Sequence, residues 1–210
     1  GNMRFSSEII LRQAQRLNED QMMLLSELTQ REYDRLTLTS LYAATDSSVK
    51  RMIVRQQRTT SQDMLDVQQV IVTLAGLREQ NENIEELFLY LGDGDFVISS
   101  TTVADAPLYY SMLFSRCGLS ADEWRAWLAG QHLWDFCTLP RYNGTAGQNV
   151  FCAVSLPLKT NALPQATLVI VLRHTALDSL IASVETSDKA SIVIQGADGR
   201  CLADNGVVIA

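Results

Sequence analysis

Cysteine and histidine are scarce in this 210-residue chain, and they are widely spaced. The four cysteines are Cys117, Cys137, Cys152 and Cys201. No pair has the C-x-x-C spacing of a zinc site, and only two histidines are available to complete one. Because the chain is not a small, disulfide-dense scaffold, reduced thiols are favoured. Cys137 and Cys152 would pair only if their strands are neighbours.

Positive charge and long apolar runs are also lacking. The 17 Lys and Arg residues are outnumbered by 24 Asp and Glu residues, which gives a net charge of −7. A nucleic-acid-binding surface normally presents a basic patch, so we expect no nucleic acid to bind this domain. No apolar run reaches the roughly 18 residues that span a bilayer. We therefore expect membrane contact only through segments outside this sequence.

Catalytic and cofactor motifs are equally sparse. The chain has no G-x-S-x-G elbow, no G-x-G-x-x-G loop and no Walker motif. An EF-hand loop beginning at Asp93 would need Glu at its twelfth position, where Ala104 stands. Gly94 and Asp95 instead suit a tight hairpin turn, since Gly and Asp tolerate positive φ. We expect a protein that is not an enzyme and has neither a metal site nor a cofactor.

Few glycines and prolines interrupt the chain, and the first part predicts a long helix. Residues 6–44 contain neither, and Leu, Met, Gln, Glu and Arg dominate them. Apolar residues recur seven or fourteen apart at Ile10, Leu17, Leu24 and Leu38. Such a stripe packs on the chain's own sheet or against a second copy, and the sequence leaves both open. A short basic segment over 49–58 and a helix over 60–79 follow.

The periodicity changes after residue 83. LFLYL (87–91) and DFVISS (95–100) predict a β-hairpin. Short helices are predicted over 107–116, 120–130 and 175–184, and further strands over 134–139, 150–158 and 166–172. Short hairpin connections favour antiparallel pairing. The predicted fold class is therefore α+β, with a long N-terminal helix followed by a five-stranded antiparallel sheet flanked by helices.

The order of several phrases resembles that of a known family. FVISS follows the first turn, then come LYYSMLF, ADEWRAWL, VFCAVSLPL and ATLVIVLR. Together with the long helix, this order resembles Cache domains, the extracellular PAS-like ligand-binding modules of bacterial receptors. It is similar to the outer segments of membrane-bound AraC-type transcription regulators and sensor kinases. The resemblance spans roughly residues 6–204 and implies a PAS-like sheet at the extracellular face of the bacterial cell membrane.

A repeated phrase bears on domain organisation. SIVIQGADGRCLAD (191–204) repeats the strand, acidic turn and strand of LFLYLGDGDFVISS (87–100), and each follows a predicted helix. By its resemblance to double-Cache proteins, the chain is expected to hold three regions. These are a long N-terminal helical region over 1–62, a membrane-distal PAS-like domain over 63–173, and a connecting helix with the opening hairpin of a membrane-proximal domain over 174–210. Alternatively, the second hairpin extends the first sheet.

Aromatic residues concentrate between 109 and 142, where all three tryptophans lie. Small-ligand pockets combine aromatic walls with a few polar groups. In Cache domains the ligand lies over the sheet, under the segment between the second and third strands, which is this region. The predicted ligand-binding residues are Tyr110, Trp124, Arg125, Trp134, Asp135, Arg141 and Tyr142. Either arginine would bind a carboxylate and Asp135 an amine or hydroxyl. Alternatively, Trp124 and Trp127, three apart on a helix, are core residues, and this is favoured for at least one of them.

These observations predict the extracytoplasmic ligand-sensing domain of a transmembrane signalling protein that controls transcription or a kinase. Its partner would be a small molecule, such as a carboxylate or an amino-acid-like metabolite. The alternative is a structural domain without a small-molecule ligand. In either case the N-terminal helix is where a homodimer would form.

Overall fold

The computed structural model describes residues 19–115, 118–140, 148–158, 163–173, 175–183, 193–195 and 201–204. The helices are α1 (Glu19–Thr45), α2 (Ser47–Arg55), α3 (Ser61–Glu79), α4 (Ala106–Tyr109), α5 (Ala121–Leu128) and α6 (Thr175–Ala182). A π-helical turn, Tyr110–Phe114, directly follows α4. The strands are β1 (Ile84–Leu91), β2 (Phe96–Ser99), β3 (Val103–Asp105), β4 (Leu133–Pro140), β5 (Gln148–Leu156), β6 (Ala166–Leu172), β7 (Val193–Gln195) and β8 (Cys201–Asp204). The α+β class is confirmed.

The main sheet has six strands in the order β3-β2-β1-β6-β5-β4, and all neighbours are antiparallel. The sequence predicts five strands because β3 is only three residues long and carries no alternating pattern. β7 and β8 form a separate two-stranded sheet within the described residues. Ile194 of β7 is nevertheless buried in the core that α6 shares. The three-region organisation stays a prediction.

One face of the main sheet is covered by α1, α2, α3 and α6. From α1, the residues buried in this core are Leu25, Leu36 and Ala43. Leu24 and Leu38 of the predicted apolar stripe remain 44% and 49% exposed. The helix therefore packs on its own sheet through residues that lie beside the predicted stripe, and Leu24 and Leu38 of the stripe itself stay exposed. Ile10 and Leu17 lie outside the described residues.

Gln56 joins the helical layer to one end of the sheet. It ends α2 in the left-handed region, with φ of 48°. Its side-chain oxygen accepts a hydrogen bond from the Asp93 N–H at 2.8 Å, and its amide donates to the Gln165 carbonyl at 2.9 Å. These bonds fix the β1–β2 turn beside the start of β6, where the cavity described below opens.

The second face of the sheet is covered by α4, the π-helical turn and α5. Ser120 and Glu123 form the predicted capping box, in which each side chain bonds to the other residue's main-chain N–H. Pro107 lies in the first turn of α4, where a main-chain N–H has no partner within the helix, so the absence of this group in proline costs no hydrogen bond. These helices bring the aromatic segment of the sequence over β1 and β5.

Cys137 and Cys152 lie on the adjacent strands β4 and β5, as the disulfide alternative requires. They are nevertheless not joined in a disulfide, because Cys137 pairs in register with Phe151 and packs on the α5 side of the sheet. Cys152 is buried on the α1 side. Within the described part of the chain, no helix combines the length and apolar character that crossing a membrane requires.

Candidate functional site

An aromatic cluster occupies the face of the sheet under α4 and α5. Its members are Phe88, Tyr109, Phe114, Trp124 and Phe151, and all are buried. The ring centroids of Phe114 and Trp124 are 5.1 Å apart, and those of Phe88 and Tyr109 are 5.3 Å apart. Such distances are typical of packed aromatic pairs. Trp124 is therefore a core residue in this state, as the alternative interpretation predicts.

Trp124 nevertheless has an unusual feature for a core residue. Its indole N–H is buried and makes no hydrogen bond with any of the described residues. A buried donor without a partner costs about 1–3 kcal/mol, and most native proteins contain only a few. The adjoining cover also contains the π-helical turn Tyr110–Phe114, a rare conformation that occurs frequently at functional sites. The donor is therefore available to an acceptor that enters this layer.

Arg125 and Asp95 form a two-point ion pair at the edge of the aromatic cluster. The Nε and Nη2 atoms of Arg125 donate to the two carboxylate oxygens of Asp95 at 3.1 and 2.7 Å. The phenol of Tyr90 donates to the same carboxylate at 3.3 Å. The Asp95 charge raises the pKa of Arg125, while burial and then Asp95 raise the pKa of Tyr90. Arg125 is therefore cationic and Tyr90 neutral at physiological pH.

A cavity of about 280 Å³ adjoins this polar group. Its lining residues are Tyr90, Gly92, Asp93, Leu128, Ala129, Pro164, Gln165, Ala166 and Thr167. Tyr90 belongs to both places, since its phenol faces the ion pair and it also lines the cavity. Pockets for drug-sized ligands measure roughly 300–1,000 Å³, so this cavity suits a small metabolite.

Three of the seven predicted ligand-binding residues lie together here. The ring centroids of Tyr110 and Trp124 are 5.7 Å apart, and Arg125 follows Trp124 on α5. The Tyr110 hydroxyl donates to the Leu119 carbonyl at 2.5 Å. The Tyr110 phenol therefore braces the loop before α5 while its ring packs on Trp124.

The structure does not bring the other predicted residues to this group. Trp134 packs with the core on the α1 side of the sheet, and it lies where the register of β4 shifts between Leu133 and Asp135. Asp135 lies at 2.9 Å from a ring nitrogen of His132. Arg141 and Tyr142 are outside the described residues.

Sequence reasoning missed Asp95 and Tyr90. Asp95 is interpreted as a turn residue, and its φ of 47° confirms that part of the prediction. Its pairing with Arg125, thirty positions later, depends on α5 lying beside the β1–β2 turn, and no local pattern predicts that placement. Among the described residues, no group of three His, Cys, Asp or Glu side chains is arranged to hold a metal ion.

No protein-family model matches this sequence, and no curated protein matches it. The sensory domain of the Campylobacter jejuni chemoreceptor Tlp3 with isoleucine bound is 13% identical, at a TM-score of 0.46, over 90% of this chain and 70% of that one. A domain of a protein assigned to the sensory box/GGDEF family of Vibrio parahaemolyticus is 10% identical, at a TM-score of 0.46, over 80% and 62%. Likenesses of this degree carry no functional conclusion.

Proposed function

We propose that this chain is the extracytoplasmic ligand-sensing domain of a transmembrane signalling protein. It binds a small carboxylate or amino-acid-like molecule beside the aromatic cluster. The observation that supports this most is the Arg125–Asp95 ion pair, which a buried phenol joins to a small cavity. The cation, the anion and the apolar wall match the three parts of an amino acid.

Exchange of partners explains how the site accepts such a ligand without leaving a charge uncompensated. A zwitterion inserted between the paired side chains offers its carboxylate to Arg125 and its ammonium group to Asp95. Both charge-assisted contacts are thereby replaced, and a two-point contact to guanidinium is geometrically specific. The Trp124 indole N–H gains an acceptor if the ligand carboxylate reaches the aromatic layer.

Partner exchange also supplies the movement that a sensor needs. Arg125 and Trp124 belong to α5, whereas Asp95 belongs to the β1–β2 turn that Gln56 ties to the end of α2. A ligand that separates Arg125 from Asp95 changes how α5 sits against this turn. The output, whether transcription or phosphorylation, and the membrane-distal position of the domain remain parts of the proposal.

Thermal unfolding in the presence of single amino acids and small carboxylates tests the proposal. A ligand at 100 times its Kd stabilises the folded state by about 2.7 kcal/mol. For a domain of this size that raises Tm by roughly 5–10 °C. Failure of every compound to raise Tm would contradict the proposal.

Two arginine variants locate the site. Arg125→Gln is expected to abolish the ligand-induced rise in Tm. Arg35→Gln is its matched control, because Arg35 also pairs with a carboxylate, that of Glu32 at 3.4 Å, and its side chain has a similar exposure of 42% against 40%. Equal ligand responses in both variants would place binding elsewhere.

A dimerisation domain is the second candidate function, and the open stripe of α1 favours it. Leu24, Leu38, Leu41 and Tyr42 are all exposed on this helix. Sedimentation of the wild type and of Leu38→Glu tests it, with Val54→Glu as the control at a 79% exposed apolar position on α2. A dimer that only Leu38→Glu dissociates supports this function, and a wild-type monomer contradicts it.

A further inference from the structure

His132 lies where the last turn of α5 meets strands β4 and β5. It is buried, with only 6% of its surface exposed. Its main-chain N–H donates to the Ser155 hydroxyl at 2.8 Å, and its carbonyl accepts from the Ser155 N–H at 3.0 Å. These bonds hold the His132 backbone against β5 and thereby fix the position from which its imidazole reaches α5.

Both ring nitrogens of His132 face atoms that only accept hydrogen bonds. Nδ1 is 2.9 Å from a carboxylate oxygen of Asp135, and Nε2 is 2.6 Å from the carbonyl oxygen of Trp127. A neutral imidazole carries one N–H and could satisfy only one of them. The other nitrogen would then direct its lone pair at an oxygen atom. Both contacts are favourable only when the ring carries two protons.

Two of the groups around the ring are suited to a cation. On β4, Asp135 is the charged group that pairs with the ring among the described residues, and its side chain is 54% exposed. From α5, the Trp127 ring approaches to 5.2 Å between centroids, which is within the range of a cation–π contact. On β5, the neighbouring Ser155 is uncharged. No cation is paired with the imidazole in the described structure.

We propose that His132 is a proton-operated clamp on the end of α5. As the imidazolium it ties the Trp127 carbonyl to Asp135 of β4, and loss of one proton removes one of its two hydrogen bonds and weakens this tie. Because α5 also carries Trp124 and Arg125, a weaker tie at its end loosens the cover of the candidate site. The clamp itself is independent of the proposed function, whereas its effect on ligand affinity rests on that function.

The direction of the pH effect follows from the charged form. In the folded state the doubly protonated ring makes both hydrogen bonds, and the neutral ring makes only one. The clamp therefore stabilises the fold at acidic pH and is lost as rising pH removes the proton. Imidazoles in general exchange this proton between about pH 5 and 8, which spans ordinary external conditions.

Nitrogen NMR of the ligand-free protein tests the charge state directly. The chain has only two histidines, so His174→Gln leaves a single ring to observe. At about pH 6 both nitrogens of His132 are expected to show the shifts of protonated atoms. A neutral ring with one unprotonated nitrogen at that pH would overturn the proposal, whether or not a ligand is ever found.

Melting curves between about pH 5.5 and pH 8.5 test the clamp itself. The Tm difference between wild type and His132→Asn is expected to be largest at the acidic end and to shrink by at least half at the basic end. His174→Asn is the control and should leave the pH profile of the wild type unchanged. Asp135→Asn, which keeps a hydrogen-bond acceptor but removes the negative charge, should lower the pH at which the clamp is lost. A pH-independent difference for His132→Asn would overturn the clamp.

Discussion

The unpaired indole of Trp124 leads to a prediction that separates a structural tryptophan from a ligand-binding one. Trp124→Phe removes the buried N–H at a cost of about 2 kcal/mol: about 1 kcal/mol for a void on the order of 40 Å³ at ~24 cal/mol per Å³, and about 1 kcal/mol for the lost burial of the missing ring atoms. Removal of a buried donor without an acceptor returns about 1–3 kcal/mol. The two effects offset each other. The net effect is within about 1 kcal/mol of zero, so we expect the Tm of this variant to lie within about 4 °C of the wild-type value.

Ligand binding is expected to respond much more strongly than stability. A hydrogen bond to a charged acceptor contributes about 1.5–3 kcal/mol. Its loss would weaken affinity for a carboxylate ligand by roughly 10- to 100-fold. Isothermal titration of Trp124→Phe with whichever compound raises the Tm of the wild type measures this loss.

Trp134→Phe is the matched control for Trp124→Phe. Its indole nitrogen is also buried without a hydrogen-bond partner among the described residues, but it packs on the α1 side of the sheet. We expect a similarly small change in Tm and unchanged affinity, which also tests the sequence prediction that Trp134 binds ligand. A fall of more than about 8 °C for Trp124→Phe alone would refute the reasoning about its unpaired donor. Unchanged affinity would refute its role in binding.

Three further predictions concern the fold. Gly94→Ala places a methyl carbon 2.5 Å from a main-chain carbonyl oxygen and should lower Tm by roughly 3–10 °C, whereas Gly92→Ala, with its nearest contact at 3.8 Å, should be tolerated. A hydrogen bond from Arg51 lowers the pKa of Asp66. The stabilisation that the Asp66 carboxylate gives the fold is therefore complete above its unfolded pKa of about 3.9 and is lost as the pH falls below it. Asp66→Asn should accordingly flatten the acid limb of a Tm–pH profile. Burial raises the pKa of the Cys152 thiol, so mass spectrometry should find it unalkylated in native protein at pH 8 and alkylated after unfolding, and native labelling would contradict its burial.

Much of the architecture could be predicted because it depends on local patterns. The capping box at Ser120 and Glu123 begins α5 where expected, and the apolar run over 166–172 coincides with β6. The short strand β3 was missed because its three residues have no period to detect. The packing register of α1 was also ambiguous, since leucines occur both on the seven-residue stripe and beside it, and only the docked sheet distinguishes Leu25 from Leu24.

The candidate site was harder to predict, because its members meet through tertiary packing. Local sequence placed Tyr110, Trp124 and Arg125 in one aromatic segment, and the structure brings them together. The prediction for Trp134 relied on the same concentration of aromatic residues. Its placement could not be predicted from strand alternation, because Trp134 has a φ of 57° at the irregularity that interrupts the register of β4.

Asp95 shows why a structural role and a site role need not be alternatives. Its φ of 47° is a conformation that Gly, Asn and Asp adopt more readily than other residues do. Any of the three would therefore serve the turn, and Gly would do so with the least strain. Only Asp also supplies the carboxylate that pairs with Arg125 and accepts from Tyr90. The turn limits this position to Gly, Asn or Asp, and the contacts with Arg125 and Tyr90 explain why Asp is the residue present.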